Sequence, residues 1–297
     1  MRAIENSRLY PWLLLAPALM FFAIWNLLPL FWMVGMSFYN YSLTLGRPPR
    51  FVQFRNYLDY LDNIDLWLAF SRTFTFVFFS VTLTTLLGAL IGTLYWGSTR
   101  MPGRRLALTL LFSPMILTPA AIGTFFRLNY DPTFGVIGYL TRLITHTNVE
   151  YLGTEGLAFA ALVAVDVWMW TPFMVLITLA ALGSVPKAEL EAAEIDRLSL
   201  WNRFRHVILP HARFILVLGI ILRTIDAFKV TDLVYQLTRG GPGGTTEVIG
   251  VMMFRRAFEA FSIGWTSGVA VITLLTAISF TALFLYLLNL HRRKHSA

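Results

Sequence analysis

Long unbroken apolar runs, not alternating ones, organise this sequence. Six of them cover about Pro11–Phe38, Thr73–Trp96, Leu106–Arg127, Leu157–Leu182, Ala212–Leu237 and Trp265–Leu290. Each is long enough for the ~20 helical residues that cross a hydrocarbon core about 30 Å thick. Apolar and polar positions do not alternate within them, which excludes the strands of a membrane barrel. The pattern predicts an all-α integral membrane protein: six membrane-spanning helices in a single domain over residues 1–297. Pro17, Pro29, Pro114, Pro119 and Pro172 fall inside the first, third and fourth runs. Membrane helices tolerate proline because neighbouring helices and waters satisfy the freed carbonyls, so each run is read as one helix. The first run follows Arg2 and Arg8 as a signal peptide would, but it is nearly twice the 7–15 residues of a signal's apolar region. Ala16-Pro17-Ala18 also lies too early for cleavage, so this run is read as a retained span.

Composition agrees with the pattern. The chain is 57% hydrophobic and 13% charged, with a mean hydropathy of +0.64, whereas a soluble globular chain carries roughly a quarter charged residues. The segments between runs reach only about 30 residues, too short for a separate core. Cysteine is absent, which removes disulfides, thiolate metal sites and cysteine nucleophiles. The formal charge of +8 sits in loops beside apolar runs, and no low-complexity basic arm is present. It therefore reads as membrane topology and not as a nucleic-acid footprint. With both termini inside, the inner segments hold thirteen Lys and Arg residues and the outer ones nine; Arg223 and Lys229 lie within a span. The excess places both termini in the cytoplasm.

One inner loop, Gly183–Pro210, stands apart. Ser184 is suited to cap a helix whose early positions hold Pro186, Glu189 and Glu191, and Ser199 to cap a second helix that Pro210 ends. The two meet near Asp196-Arg197, with Leu190, Ala193, Leu200, Phe204 and Val207 as apolar positions. Such a loop suits either a helical linker on the membrane surface or a docking element whose small residues, Ala192 and Ala193, enter a partner's groove.

The run Glu191-Ala192-Ala193-Glu194-Ile195-Asp196, with Phe204-Arg205 and Ile208-Leu209-Pro210, resembles the EAA loop of ABC importer permeases. Phe51-Val52-Gln53-Phe54-Arg55-Asn56-Tyr57, Trp170-Thr171-Pro172-Phe173, Arg223–Lys229 and Leu237-Thr238-Arg239-Gly240-Gly241-Pro242 extend the resemblance over nearly the whole chain. The Gly-Gly-Pro segment resembles the first permease subunit of maltose-type, binding-protein-dependent carbohydrate importers. The resemblance implies a type I permease fold in the bacterial inner membrane, whose coupling helix docks a cytoplasmic ATPase through Glu191, Ala192, Ala193, Asp196 and Arg197. It implies as partners a homologous second permease, an ATPase homodimer that binds Mg-ATP, an extracytoplasmic solute-binding protein and membrane lipid. No cofactor belongs to this chain itself. One position departs: the family usually has glycine after the aspartate, and here Arg197 stands there. Arginine is strained at a corner with φ > 0 or requires a different turn.

Ionisable residues within spans are costly and mark functional sites. Here they are Asp166, Arg223, Asp226, Lys229 and Asp232. Two readings fit: the charges neutralise one another inside the bundle, or they line a solute pathway. Aligned on Pro172 and Pro210, the sugar-contacting positions of maltose-type permeases fall on Asp166, Met169, Trp170, Phe173, Arg223, Asp226, Ala227 and Val230. Aromatic faces with carboxylates and a guanidinium suit a carbohydrate or polyol, and Arg223 also leaves room for an anionic solute.

No catalytic or metal constellation is legible. The phosphate-loop pattern is missing, Gly240–Gly244 reads as a turn, and the five histidines keep no zinc-ligand spacing. A permease subunit is therefore expected, not an enzyme. The alternatives are a stand-alone secondary transporter or channel, which would carry inverted repeats that are not apparent here, and a membrane enzyme, which lacks a nucleophile.

Overall fold

The computed structural model describes residues 10–97 and 102–293. Of the charges that set sidedness, Arg2, Glu5, Arg8, Arg100 and Lys294 lie outside the described residues, as does His295. The chain divides into two compact units: residues up to Ile64 with Met253–Ile278, and Asp65–Met252 with residues from Ser279 onward.

In the first unit, α1 (Tyr10–Phe22), a π-helical turn (Ala23–Leu27) and α2 (Leu28–Met36) make the first span. The π turn ends two residues before Pro29, which has no N–H to give an ordinary i→i−4 bond. Large side chains such as Trp12, Phe21, Phe31 and Trp32 are all exposed on this span. The segment that follows is clamped by the Phe51–Tyr57 motif. A short antiparallel pair, β1 (Tyr39–Asn40) and β2 (Arg50–Phe51), sets Tyr39 opposite Phe51. It leads into α3 (Arg55–Leu61). The Asn56 amide donates to the carbonyls of Ser37 (2.8 Å) and Tyr39 (3.1 Å). Tyr60 donates its hydroxyl to the Trp265 carbonyl at 2.6 Å, and the two rings meet edge to face.

The second unit holds the larger helical bundle. Its helices are α4 (Ile64–Gly97), α5 (Arg104–Ile116), α6 (Pro119–Asn129), α7 (Val136–Thr145) and α8 (Glu155–Gly183). There follow α9 (Lys187–Ile195), α10 (Leu200–Arg203), a π-helical turn (Phe204–Ile208), α11 (Leu209–Phe228), α12 (Asp232–Leu237) and α13 (Ile249–Phe254). The last helix, α14 (Ile263–Arg293), passes through both units. Helix α8 is the hub: α5 and α11 both pack on it, and it is the most buried of the spans. Glycines set the spacing. Gly88 and Gly92 of α4 face Met174 and Thr178 of α8, and Gly219 of α11 faces Ile177. Small residues at crossings let membrane helices approach closely, because packing drives their association.

Among the described residues, five helical stretches are long and apolar enough to cross a membrane, with a sixth where α5 and α6 count as one. That pair is bent by 99°, so the expected continuous helix over Leu106–Arg127 is broken. The cause is local. Leu117 and Thr118 are extended (ψ 147° and 143°) ahead of Pro119, whose ring disfavours helical geometry in the residue before it. The Thr118 hydroxyl then caps α6 by accepting from the Ala121 N–H. The fifth run also differs. Pro210 does not end a helix but sits in the first turn of α11, and the crossing helix covers Leu200–Phe228. It stops at Phe228, and α12 begins after a short irregular stretch.

A Cβ placed on Gly92 would lie 2.7 Å from Thr178 Cβ, whereas one on Gly97 meets nothing within 4 Å. Gly92→Leu should therefore lower thermal stability in detergent by an amount typical of overpacking, about 1–3 kcal/mol, and Gly97→Leu should not. Equal behaviour of the two variants would contradict the close α4–α8 crossing.

Candidate functional site

At the centre of the bundle three helices are joined by one polar knot. Arg223 of α11 has a side chain with 0% exposure, and Asp166 of α8 has 2%. The Arg223 guanidinium donates through Nη2 to Asp166 Oδ2 and to Ser80 Oγ of α4. The Ser80 hydroxyl donates in turn to the same carboxylate oxygen. On its other side the guanidinium reaches Asp226 Oδ2 at 3.4 Å, one helical turn along α11, and lies 5.3 Å from the centroid of the Trp170 ring. A buried charge persists in an apolar bundle only when paired and hydrogen-bonded. Ser80 was not singled out by sequence reasoning; it is one of many hydroxyls along α4, and only the fold brings it to Asp166.

Above the knot opens a cleft of about 290 Å³, lined by Pro119, Asp166, Met169, Trp170, Asp226, Lys229, Val230, Thr231, Asp232 and Leu233. Both broken spans contribute. Pro119 opens α6 after its bend, and Lys229–Thr231 form the stretch between α11 and α12. Helix α6 packs directly on α12, with Gly123 against Leu233 and Gln236. Irregular backbone at membrane depth is tolerated where it lines a cavity. The cleft thus gathers Asp166, Met169, Trp170, Asp226 and Val230 of the expected pathway. Arg223 and Ala227 are buried, and Phe173 stands beside Trp170 with ring centroids 6.1 Å apart. These three do not line the cleft. Pro119, Thr231 and Leu233 are additions; the Thr-Pro pair at 118–119 is a helix-start signal that would have pointed to the first.

The charges at the cleft are three carboxylates, Asp166, Asp226 and Asp232, against Arg223 and Lys229. The Arg223 guanidinium is covered and committed to two of the carboxylates, while Asp226 keeps 47% of its side chain exposed. The surface offered to a solute is therefore carboxylate, ammonium, hydroxyl and indole. Among the described residues no three His, Cys, Asp or Glu side chains converge on a metal-sized point.

The Gly183–Pro210 loop forms a helical hairpin. Ser184 ends α8, its hydroxyl donating to the Ala181 carbonyl, and Pro186 precedes α9 instead. Ser199 does cap α10, accepting from the Asn202 N–H at 3.3 Å. The corner is a Schellman turn. Leu198 N–H bonds the Ala193 carbonyl and Arg197 N–H the Glu194 carbonyl, both at 3.1 Å, with Arg197 left-handed at φ 51°. Arginine thus occupies the geometry that glycine favours, and the turn is not rebuilt around it. Ala193 is buried, and Leu190 and Val207 pack against the cluster Ala181, Leu182, Val185, Ile208 and Ala212. His211 Nε2 lies 3.3 Å from Glu189 Oε1, tying α9 to α11. Glu191, Ala192, Asp196 and Arg197 remain exposed, beside Ile195 (81%), Leu200 (85%) and Trp201 (66%).

Two outcomes follow from this geometry. Asp166→Asn leaves Arg223 buried with its main counter-charge gone and should destabilise the bundle by about 3–5 kcal/mol. Asp166→Leu combined with Arg223→Met should recover most of that loss in thermal unfolding, and a double variant worse than the single would contradict a pairwise origin. Arg197→Gly relieves a left-handed cost of roughly 1 kcal/mol. Amide exchange across residues 194–198 should then slow by about fivefold; faster exchange would show that Arg197 carries a stabilising contact of its own.

Comparison with known proteins places this arrangement. Residues 4–296 match the family described as binding-protein-dependent transport system inner membrane component. The chain is 32% identical over 274 residues to the trehalose/maltose transport system permease protein MalF of Thermococcus litoralis, covering 92% of each. It is 29% identical to the sulfoquinovosyl glycerol transport system permease protein SmoG of Agrobacterium fabrum, covering 96% of this chain and 92% of that one. Its fold superposes on a chain of a bacterial ABC transporter involved in alginate import with a TM-score of 0.82 at 16% identity, covering 96% of both. The all-α bundle is therefore the type I importer permease fold, and the chain belongs to the family of binding-protein-dependent inner-membrane components, a multi-pass permease subunit of an ABC importer and not an enzyme.

Proposed function

We propose that this permease carries an uncharged or weakly charged carbohydrate or polyol, and that the cleft above the Arg223 knot is where the solute rests in transit. The exposed Asp226 and Asp232 carboxylates, the Lys229 ammonium and the Thr231 hydroxyl suit a ring of solute hydroxyls. The partly exposed Trp170 indole offers an apolar face to the ring itself. Relatives named for trehalose, maltose and diacetylchitobiose support a glycan. In this reading Asp166 and Arg223 act mainly beneath the solute, holding Asp226 and Trp170 in place. Met169 and Val230 shape the wall, while Phe173 and Ala227 support Trp170 and the end of α11.

The assembly is completed by a homologous second permease, an ATPase homodimer holding Mg-ATP and an extracytoplasmic solute-binding protein. A related structure of an alginate transporter holds a pentasaccharide-bound periplasmic protein in complex. In this reading both termini face the cytoplasm. The observation that carries the coupling role is the exposed face of that hairpin. Ala193 anchors it to the bundle, and Ile195, Leu200 and Trp201 are exposed beside Glu191, Ala192, Asp196 and Arg197. An apolar patch rimmed by charge at a membrane-protein loop fits a partner's groove. Closure of the ATPases on nucleotide would then move α11 through its continuous connection to α10, and the cleft with it.

Trp201→Asp should abolish recovery of the ATPase with the tagged chain and reduce ATP-driven uptake at least tenfold, with the protein still folded. Asp226→Asn should leave ATPase recovery unchanged and raise the KM of uptake several-fold. Uptake by the chain alone, driven by an ion gradient and indifferent to Trp201→Asp, would overturn the reading in favour of a secondary transporter.

A further inference from the structure

A second, larger cavity lies away from the polar knot. It measures about 780 Å³ and is walled by α4, α5 and α8, with Leu83, Leu87, Tyr95, Leu110, Val167 and Trp168 among its lining residues. Its lining is overwhelmingly apolar. Two features, length and charge, narrow what it could hold. The first is length. Along α4 the groove runs from Leu83 to Tyr95, about 18 Å at 1.5 Å per residue. That is close to one leaflet of a ~30 Å hydrocarbon core and well short of what a partner's spanning helix would need.

The second is charge at one end. Arg104 begins α5 where the groove reaches Tyr95, and its Nη2 donates to the Tyr95 carbonyl at 3.2 Å. Its Nε is buried with no hydrogen-bond partner in the structure. Arg105 follows, exposed. A half-buried guanidinium held on Tyr95 at the end of an acyl-length apolar groove, with an exposed arginine beside it, matches a phosphate on a lipid tail. Basic pockets between spanning helices recur as anionic headgroup sites. Trp96, next to Tyr95, packs against the cluster at the base of the docking hairpin, which fixes this end on the hairpin's side of the membrane.

We propose that the groove between α4, α5 and α8 holds one anionic phospholipid of the leaflet on the hairpin side, its tail along Leu83–Tyr95 and its phosphate on Arg104. The lipid wedges α5 against α8 next to the hairpin, a place from which leaflet composition can tune coupling.

The test uses the purified assembly, delipidated and titrated with phosphatidylglycerol or phosphatidylethanolamine of matched chains, with bound lipid counted by native mass spectrometry. Wild type should prefer phosphatidylglycerol by about fivefold, the contribution of one arginine near a headgroup. Arg104→Gln should erase the preference while tail binding remains, and Arg104→Lys should restore it. Ala164→Trp, which fills the groove from α8, should lose both lipids. A preference that survives Arg104→Gln, or lipid retained in Ala164→Trp, would overturn the proposal. So would a photo-crosslinker at Leu110 that captures the second permease instead of lipid.

Discussion

The buried ion pair between Arg223 and Asp166 is the constraint around which the bundle is arranged. Both side chains are almost wholly covered, and each charge would be prohibitive alone in an apolar core. Their pairing, with Ser80 as a third member, fixes α4, α8 and α11 relative to one another at one depth. Gly88, Gly92 and Gly219 then let the same three helices close to contact distance. Hydrophobic burial gives little preference for one register over another when lipid is as apolar as the helices. A single polar knot supplies that register, and it places Asp226 and Trp170 at the edge of the cleft.

Breaks in the helices do the remaining work of opening the site. The bend after Ile116 and the interruption after Phe228 both leave irregular backbone inside apolar runs, and α6 and α12, which begin after them, pack together. The cleft is therefore built from chain ends within the bundle and not from a groove between intact helices. The α9–α10 hairpin is continuous with the same bundle. From α10 the chain runs through a π turn directly into α11, whose far end carries Arg223 and Asp226. Displacement of the hairpin thus has a helical path to the knot.

The spans and the hairpin were legible from the sequence because they rest on run length and on helix-start residues, both local properties. Ser199 caps the helix assigned to it, and Asp166, Trp170 and Asp226 line one cleft. What was not legible depended on context. Five prolines sit in apolar runs, yet only at Pro119 does the helix break sharply, because Thr118 is there to cap the new start. The run into Leu237 looked continuous, while the chain leaves helical geometry at Lys229 so that charged groups reach the cleft. Ser80 carried no signal among its neighbours. Arg197 was expected to strain or rebuild the corner; the hydrogen bonds of the Schellman turn hold it left-handed without altering the turn.

If the exposed face of the α9–α10 hairpin is a docking surface, the subunit works only as one part of a larger machine. This is tested most directly by expressing the chain with its candidate partners, purifying through a tag on this subunit, and quantifying the recovered stoichiometry by mass spectrometry. One copy of this chain should be recovered with one homologous permease and two ATPase subunits, hydrolysing ATP faster when solute-loaded binding protein is added. Recovery of the chain alone or as a homo-oligomer, with transport intact and no ATPase present, would contradict it.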